Sequence, residues 1–362
     1  MSRPPRRILF RLSRCRLHEL TLVQIEKWSL LAGFRFLLAL IVAVGHLGGF
    51  SEQGAILIIA GLNPFAAILG FLLVSGFSVG TSYLKAPEGF LMRRILRIYP
   101  VYFASLILAC AGWVLINQKL LPPWETVALN LVFLNQVFTD YSIIGPAWSL
   151  SLEFWLYCLV PFLFRRSPGV LRIMCYGSFL LLTVYTLGRS IVHWPYFSNT
   201  TLGLNLPLLS FVWICGLRLT DPRSSPGEVF LDLRVFFIGQ ITLETMIETI
   251  SRLRHHDPHG VMTRVLPHEA LHALTLTACY LLFRHCVVGA AGVGSRSITL
   301  RLLGDIAYPL YLVHIPVFGI LHAHGVKNPY LLLAGALAVA SLFYLVLDRY
   351  SQRRHLRQSL AN

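Results

Sequence analysis

Nine apolar runs, most close to twenty residues and separated by short polar or basic segments, constrain this chain more than any other feature. A helix rises about 1.5 Å per residue, so about twenty apolar residues cross about 30 Å of hydrocarbon. The runs lie near 30–48, 62–84, 96–117, 147–164, 170–188, 206–219, 268–284, 303–322 and 329–347; the fourth is slightly short and the sixth shorter still. Lipid offers the backbone no hydrogen-bond partner, so each run is expected to be helical. The predicted fold class is all-α: a polytopic α-helical membrane protein.

Composition removes the competing classes. Of 362 residues, 56% are hydrophobic and only 13% charged. That is about half the charge of a soluble domain, too little to cover one. It is also too apolar for a disordered chain, and seven Cys are too sparse for a disulfide scaffold. The formal charge of +15 invites a nucleic-acid reading. The arginines, however, punctuate the apolar runs instead of lining one polar face, which is the positive-inside pattern. The expected partner is a lipid bilayer, not nucleic acid.

The same arginines set the orientation. Residues 1–27 form a basic tail (Arg3, Arg6, Arg7, Arg11, Arg14, Arg16, Lys27) with no small-residue cleavage site after it. The tail, the loop carrying Arg93, Arg94 and Arg97, the pair Arg165 and Arg166, then Arg218 with Arg223, and the stretch 349–357 are all placed on the cytoplasmic side. The domain reading is a cytoplasmic tail 1–27, a membrane domain 28–349 and a basic cytoplasmic tail 350–362. Both termini inside requires an even number of crossings, so a tenth is sought at 229–249. That segment holds Asp232, Arg234, Glu244 and Glu248, and its crossing puts the basic stretch 252–264 outside. An amphipathic interfacial helix is the rival reading. The connection 118–146 is placed outside, with 129–138 as a short re-entrant or interfacial helix.

Ionisable groups inside apolar runs are costly and mark functional candidates. The first run holds Arg35 and His46, eleven residues apart. They share a helical face, about 16 Å apart along the axis. The plain alternative is that Arg35 snorkels to the interface and His46 hydrogen-bonds a neighbouring helix. The second run reads Gly-Phe-Leu-Leu-Val-Ser-Gly-Phe over 70–77; Ser75 can donate a hydrogen bond, and Gly76 with Gly80 forms a small-xxx-small pair suited to close packing. Arg94 and Arg97 fall on one face of the next helix, with Arg93 beside them, at an N-terminal end where phosphate groups are favoured. Ordinary membrane anchoring is the alternative. The fourth run opens Pro146-Ala-Trp-Ser-Leu-Ser-Leu-Glu-Phe-Trp-Leu-Tyr157. It puts the carboxylate of Glu153 among Trp148, Ser149, Ser151 and Tyr157, where a His or Arg partner is expected. His314 sits in a late run between aromatic and Pro residues, near Asp305. The cluster His255-His256-Asp257-Pro258-His259 is read as a solvated loop and no metal site is expected, since adjacent histidines cannot all face one ion without a tight turn.

Together these blocks resemble the acyltransferase-3 family of integral-membrane O-acyltransferases. The carrying motifs are Arg35-x10-His46, Gly70-Phe-Leu-Leu-Val-Ser-Gly-Phe77, Arg93-Arg94-Ile-Leu-Arg97-Ile-Tyr-Pro, Trp148-Ser-Leu-Ser-Leu-Glu153 and Gly304-Asp-Ile-Ala-Tyr-Pro-Leu-Tyr-Leu-Val-His314, in the family's order. The resemblance implies about ten membrane helices and transfer of an acyl group, usually acetyl, from cytoplasmic acyl-CoA. It implies acceptor hydroxyls on surface carbohydrate, lipid-linked sugars or small molecules, and most plausibly a bacterial inner membrane. The matching catalytic base is His46, and Arg94 with Arg97 matches the pair that holds the CoA phosphates. Three departures stand out. Ala32 replaces an acid three residues before Arg35, Asp348-Arg349-Tyr350 replaces a closing Glu-Arg-Pro, and 221–266 is unusually polar.

The mechanism expected on this basis docks acyl-CoA, with acetyl-CoA the favoured donor, on Arg93, Arg94 and Arg97. His46 takes the acceptor proton, Glu153 orients the imidazole and Arg35 stabilises charge or binds the donor. Ser75, Trp148, Ser151, Tyr157 and His314 are expected in substrate or structural support. The rivals are a proton-coupled transporter or flippase, and a catalytically degenerate family member.

Overall fold

The computed structural model describes residues 6–51, 54–56, 59, 61–117, 121–289 and 297–348, with the side chains of 6–25, 297 and 348 outside the description. Arg3, the side chains of Arg6, Arg7, Arg11, Arg14 and Arg16, the whole expected 350–362 tail and the Arg349-Tyr350 departure therefore lie outside the described residues.

The expected all-α class is what the chain adopts, with no strand among the described residues. The helices are α1 (Arg6–Leu47), α2 (Pro64–Lys85), α3 (Phe90–Asn117), the short α4 (Trp124–Leu131), α5 (Trp148–Leu163), α6 (Pro168–Val192), α7 (Asn205–Arg218) and α8 (Pro226–Arg254). A helical turn and a π-helical stretch from Pro258 lead into α9 (Leu266–Val288), followed by α10 (Ser297–Ala323) and α11 (Pro329–Phe343), which ends in a π-helical turn at Asp348. Among the described residues, eight helical segments are long and apolar enough to cross a membrane. The apolar α7, at 14 residues, is shorter.

Starts are written locally. Asn63 precedes Pro64, and its Oδ1 accepts from Phe65 N at 2.9 Å and Ala66 N at 3.1 Å. Asn328 before Pro329 repeats the device, accepting from Tyr330 N at 2.9 Å. In both, proline occupies a position whose N–H would have no helical partner, and the Asn side chain caps the next ones. The short helix expected at 129–138 forms instead at Trp124–Leu131. The backbone beyond it turns left-handed at Phe133 (φ 58°) and Gln136 (φ 73°), which a helix does not tolerate.

Two contacts organise the bundle. Helix α1 packs along α10, and α2 along α7. The second pairing rests on reciprocal glycines. A Cβ on Gly76 would lie 2.0 Å from Trp213 O, and one on Gly216 would lie 2.2 Å from Leu73 O. The backbones thus touch where a side chain has no room. Ala32, where the resemblance expects an acid, lies against α10: a Cβ on Gly304 would sit 2.4 Å from the Ala32 Cβ. The small residue belongs to the α1–α10 seam.

The polar segment 229–249 lies within α8, a continuous helix of 29 residues packed against α6, α7 and α9. At about 1.5 Å per residue it is about 44 Å long, enough for the bundle's full depth. Its charged residues have partners. Asp232 is fully buried and meets Arg218 Nη1 at 2.8 Å and Arg172 Nη2 at 2.9 Å, with the Tyr176 hydroxyl donating at 2.9 Å. Arg218, placed on the cytoplasmic side by the sequence, is only 2% exposed and pairs with Asp232. Arg223 clamps Asp221 at 2.8 Å and donates to the carbonyls of Phe164 and Arg166, joining the loops after α5 and α7. Burial raises the Asp221 pKa, but the Arg223 guanidinium outweighs it and holds the carboxyl below its usual value. His255, His256 and His259 are exposed, in keeping with a solvated loop. Asp257 accepts from Gly260 N at 2.8 Å, a bond that lowers its pKa, and pairs with Arg252 at 3.3 Å.

Candidate active site

Two cavities share a wall where α1, α2, α3 and α10 converge. The outer one, about 420 Å³, is ringed by Arg35, Lys85, Arg93, Arg94, Arg97 and Arg301, with Asp305 as its one acid. It shares Arg35, Ser78, Arg94, Arg97 and Asp305 with a deeper cavity of about 150 Å³. The deeper walls are mostly apolar, including Ile68, Phe71, Leu72 and Leu150, with Glu153 and Tyr157 on one side and Ser149 and Tyr311 at the end.

The three expected arginines have different commitments. Arg93 is exposed and donates to the carbonyls of Ala86 and Glu88, so the turn before α3 already holds its guanidinium. Arg94 donates to Ser78 O at 3.1 Å and lies 6.0 Å over the Tyr157 ring. Arg97 is exposed at the shared boundary and makes no hydrogen bond or ion pair among the described residues. Arg35 donates to the Ser78 hydroxyl, fixing it in the wall common to both cavities. The separation of Arg35 from His46 along one continuous helix leaves it with the cation ring, not with the imidazole.

Glu153 is placed differently from the expectation. Ser75 donates to its Oε1, as does the Tyr157 hydroxyl at 2.5 Å, and Trp213 Nε1 backs Ser75 at 3.3 Å. Among the described residues no hydrogen bond joins Glu153 to His46. The carboxylate finds hydroxyl donors inside the deeper cavity, and α5 does not carry it to the end of α1. Ser151 is structural: its hydroxyl bridges Phe133 O and Asn135 O, both at 2.8 Å, and anchors the loop after α4. Trp148 is 4% exposed in the hydrophobic core and lines neither cavity.

His46 has His314 as its partner. Their rings are 5.2 Å apart, with His46 Nδ1 3.2 Å from His314 Nε2. His314 is fully buried, and its Nδ1 is 3.0 Å from Leu310 O. A carbonyl only accepts, so that Nδ1 carries the proton and His314 Nε2 is an acceptor. His46 Nδ1, 2.8 Å from Val42 O, then carries the proton of the second ring. This leaves His46 Nε2 with its lone pair, the form a proton acceptor requires.

Tyr311 connects the parts. It lines the deeper cavity, its ring is 6.3 Å from that of His314, and its hydroxyl is 2.6 Å from Ser149 Oγ and 2.9 Å from Pro146 O. Sequence reading passed over Tyr311, Ser78, Lys85 and Arg301. Tyr311 lies three residues before His314 and Ser78 three after Ser75, so helical spacing from two chosen residues was the available signal.

Fold and site define a polytopic helical membrane protein whose ring of cations opens into a cavity ending one aromatic residue from a histidine pair. The comparisons supply the family. The family described as "Acyltransferase domain" (acyltransferase-3) matches residues 30–347, and the chain belongs to it. The acyltransferase MdmB of Streptomyces mycarofaciens is 26% identical over 317 residues, covering 79% of this chain and 78% of its own. The provisionally named acetyltransferase ORF330 of Acidianus two-tailed virus is 23% identical over 202 residues, covering 53% of this chain and 59% of its own. The chain thus spans well under two thirds of the viral protein. No solved structure matches it.

Proposed function

We propose that this protein is an O-acyltransferase of the bacterial inner membrane, with both termini cytoplasmic, moving a short acyl group from acyl-CoA to a hydroxyl of a carbohydrate or lipid-linked acceptor. The observation that carries the reading is the continuity between the cation ring and the apolar cavity that ends at Tyr311. The ring suits the phosphates of CoA, since Arg94 and Arg97 offer charge-assisted donors beside Lys85 and Arg301. Arg35 sits deeper and faces the donor as it enters. The apolar walls suit the acyl-pantetheine arm, and Tyr311 stands between that cavity and the histidine pair.

In this reading the acceptor hydroxyl attacks the thioester carbonyl while His46 Nε2 takes its proton. The oxygen–carbon bond forms, the carbon–sulfur bond breaks, and the imidazolium returns the proton to the departing thiolate as free CoA. Val42 O and His314 Nε2 accept from Nδ1–H and stabilise the imidazolium as it forms, the part first assigned to Glu153. Glu153, with Ser75 and Tyr157, instead shapes the donor cavity. Acetyl-CoA is the proposed donor because the shortest acyl group asks least of the deeper cavity, about 150 Å³.

The test is labelled acetyl-CoA added to membranes carrying the wild type or His46→Ala, with label followed into lipid and saccharide fractions. Label transferred by the wild type alone supports the reading. Equal transfer by both proteins, or none by an inserted wild type with native acceptors and longer acyl-CoAs, overturns it.

A further inference from the structure

A second polar cluster lies at the opposite end of the bundle, apart from the cation ring. Glu244 of α8 faces Glu269 and His272 of α9, which are three residues apart and share a face. His272 Nδ1 is 2.7 Å from Glu244 Oε2 and 3.4 Å from Glu269 Oε2, and one ligand atom from each residue falls within 4.8 Å of the others. His272 is fully buried and Glu269 is 5% exposed. Gln240, 1% exposed and one turn before Glu244, aims its carboxamide at the same carboxylate: Nε2 donates to Glu244 Oε1 at 2.6 Å, while its Oε1 has no partner among the described residues. His272 Nε2 is also without one.

The two carboxylates are paired with histidines alone among the described residues. Among the described residues no Lys or Arg forms an ion pair with Glu244 or Glu269. Two carboxylates meet the buried His272, and the exposed His268 Nε2 lies 3.9 Å from Glu269 Oε1, so the buried face of the pair holds one imidazole in surroundings where uncompensated charge is costly. A divalent cation replacing the Nδ1 proton balances that buried face: two carboxylates and a neutral imidazole sum to zero with it, and a turn of the Gln240 carboxamide, whose Nε2 now faces Glu244, would bring its unpartnered oxygen to the same ion. Metal–ligand distances of about 2.0–2.2 Å place ligand atoms about 3–3.6 Å apart, so small side-chain rotations separate the present arrangement from a coordinating one. A cavity of about 640 Å³ lined by Glu244 and Glu269, and also by Arg189, Arg252, Arg264 and His268, gives a route in and room for bound water.

We propose that Glu244, Glu269 and His272 form a site for a divalent cation of the zinc or manganese class, with Gln240 as a further oxygen donor, tying α8 to α9. One nitrogen with two or three oxygens is a donor set suited to those ions. This proposal is independent of the transfer chemistry. It also accounts for part of the polarity in 221–266.

The test uses the full chain with an affinity tag free of histidine, purified in detergent and stripped with chelator. Zn²⁺ is titrated by calorimetry and Co²⁺ by visible absorption. The expected result is one ion per chain, a Co²⁺ d–d spectrum displaced by Zn²⁺, and affinity lowered about 100-fold in Glu244→Gln and His272→Gln but unchanged in His259→Ala. A monodisperse wild type that takes up no stoichiometric Zn²⁺ overturns the proposal and leaves an imidazolium–carboxylate ion pair only. Folded variants that bind as tightly as the wild type overturn it too. Because the wild-type titration decides alone, variants that fail to fold do not protect the idea.

Discussion

His46 Nδ1 and His314 Nε2 lie 3.2 Å apart although 268 residues separate them. The contact needs α1 and α10 packed along their lengths, and Ala32 against Gly304 is part of that seam. A backbone carbonyl one turn earlier sets the tautomer of each ring, and His314 Nε2 joins Val42 O as an acceptor for His46 Nδ1–H.

Replacing His314 should test this positioning. His314→Leu removes one of the two acceptors for Nδ1–H of His46, leaving Val42 O, and should lower kcat about 10-fold, the low end for lost support of a working side chain. His314→Gln retains an acceptor oxygen and should recover much of the rate. KM for acyl-CoA should move little in either, because His314 lines neither donor cavity. Steady-state thiol release at matched expression separates the two parameters.

The arginines should not be equivalent. Arg94→Ala and Arg97→Ala should each raise KM for acyl-CoA about 10- to 100-fold, as expected for lost charge-assisted hydrogen bonds. Arg93→Ala should do less, since its guanidinium already serves Ala86 O and Glu88 O. A donor lacking the 3′-phosphate should narrow the gap between wild type and the two strong variants.

Most of the architecture could be read from apolar run length alone, and the two helices that resisted show why. In α7 the apolar stretch is only 14 residues. In α8 the charged residues sit on packed faces: Asp232 meets Arg172 and Arg218, and Glu244 meets His272. Hydropathy counts each as a lone polar residue, because a partner 14 or more residues away is invisible to a sliding window. The site was legible in the same measure. His46, Arg94 and Arg97 stood out as ionisable groups in or beside apolar runs. The partner of His46 did not, since a carboxylate is the commoner companion of a histidine and only the tertiary fold brings His314 to it.

The buried Arg218–Asp232 pair supports a stability prediction. Asp232→Asn leaves Arg218, 2% exposed, without its counter-charge. The loss should be about 3–5 kcal/mol, seen in denaturant unfolding in detergent. Arg218→Met combined with Asp232→Leu should recover a substantial part, because no charge then remains stranded.

The α2–α7 seam should be intolerant of a single methyl group. Gly76→Ala drives a Cβ into Trp213 O and should cost about 1–3 kcal/mol. Gly177→Ala, which meets nothing within 4 Å, should be neutral or mildly stabilising. Thermal denaturation of the two variants side by side in detergent measures the difference.

The most direct measurement is the rate of CoA release by membranes containing equal inserted amounts of wild type, His46→Ala and His46→Ala/His314→Leu, with acceptor and acetyl-CoA supplied. If His46 is the base and His314 acts through it, release by His46→Ala falls to background and the double variant is no worse. Release by His46→Ala at the wild-type rate would contradict the account.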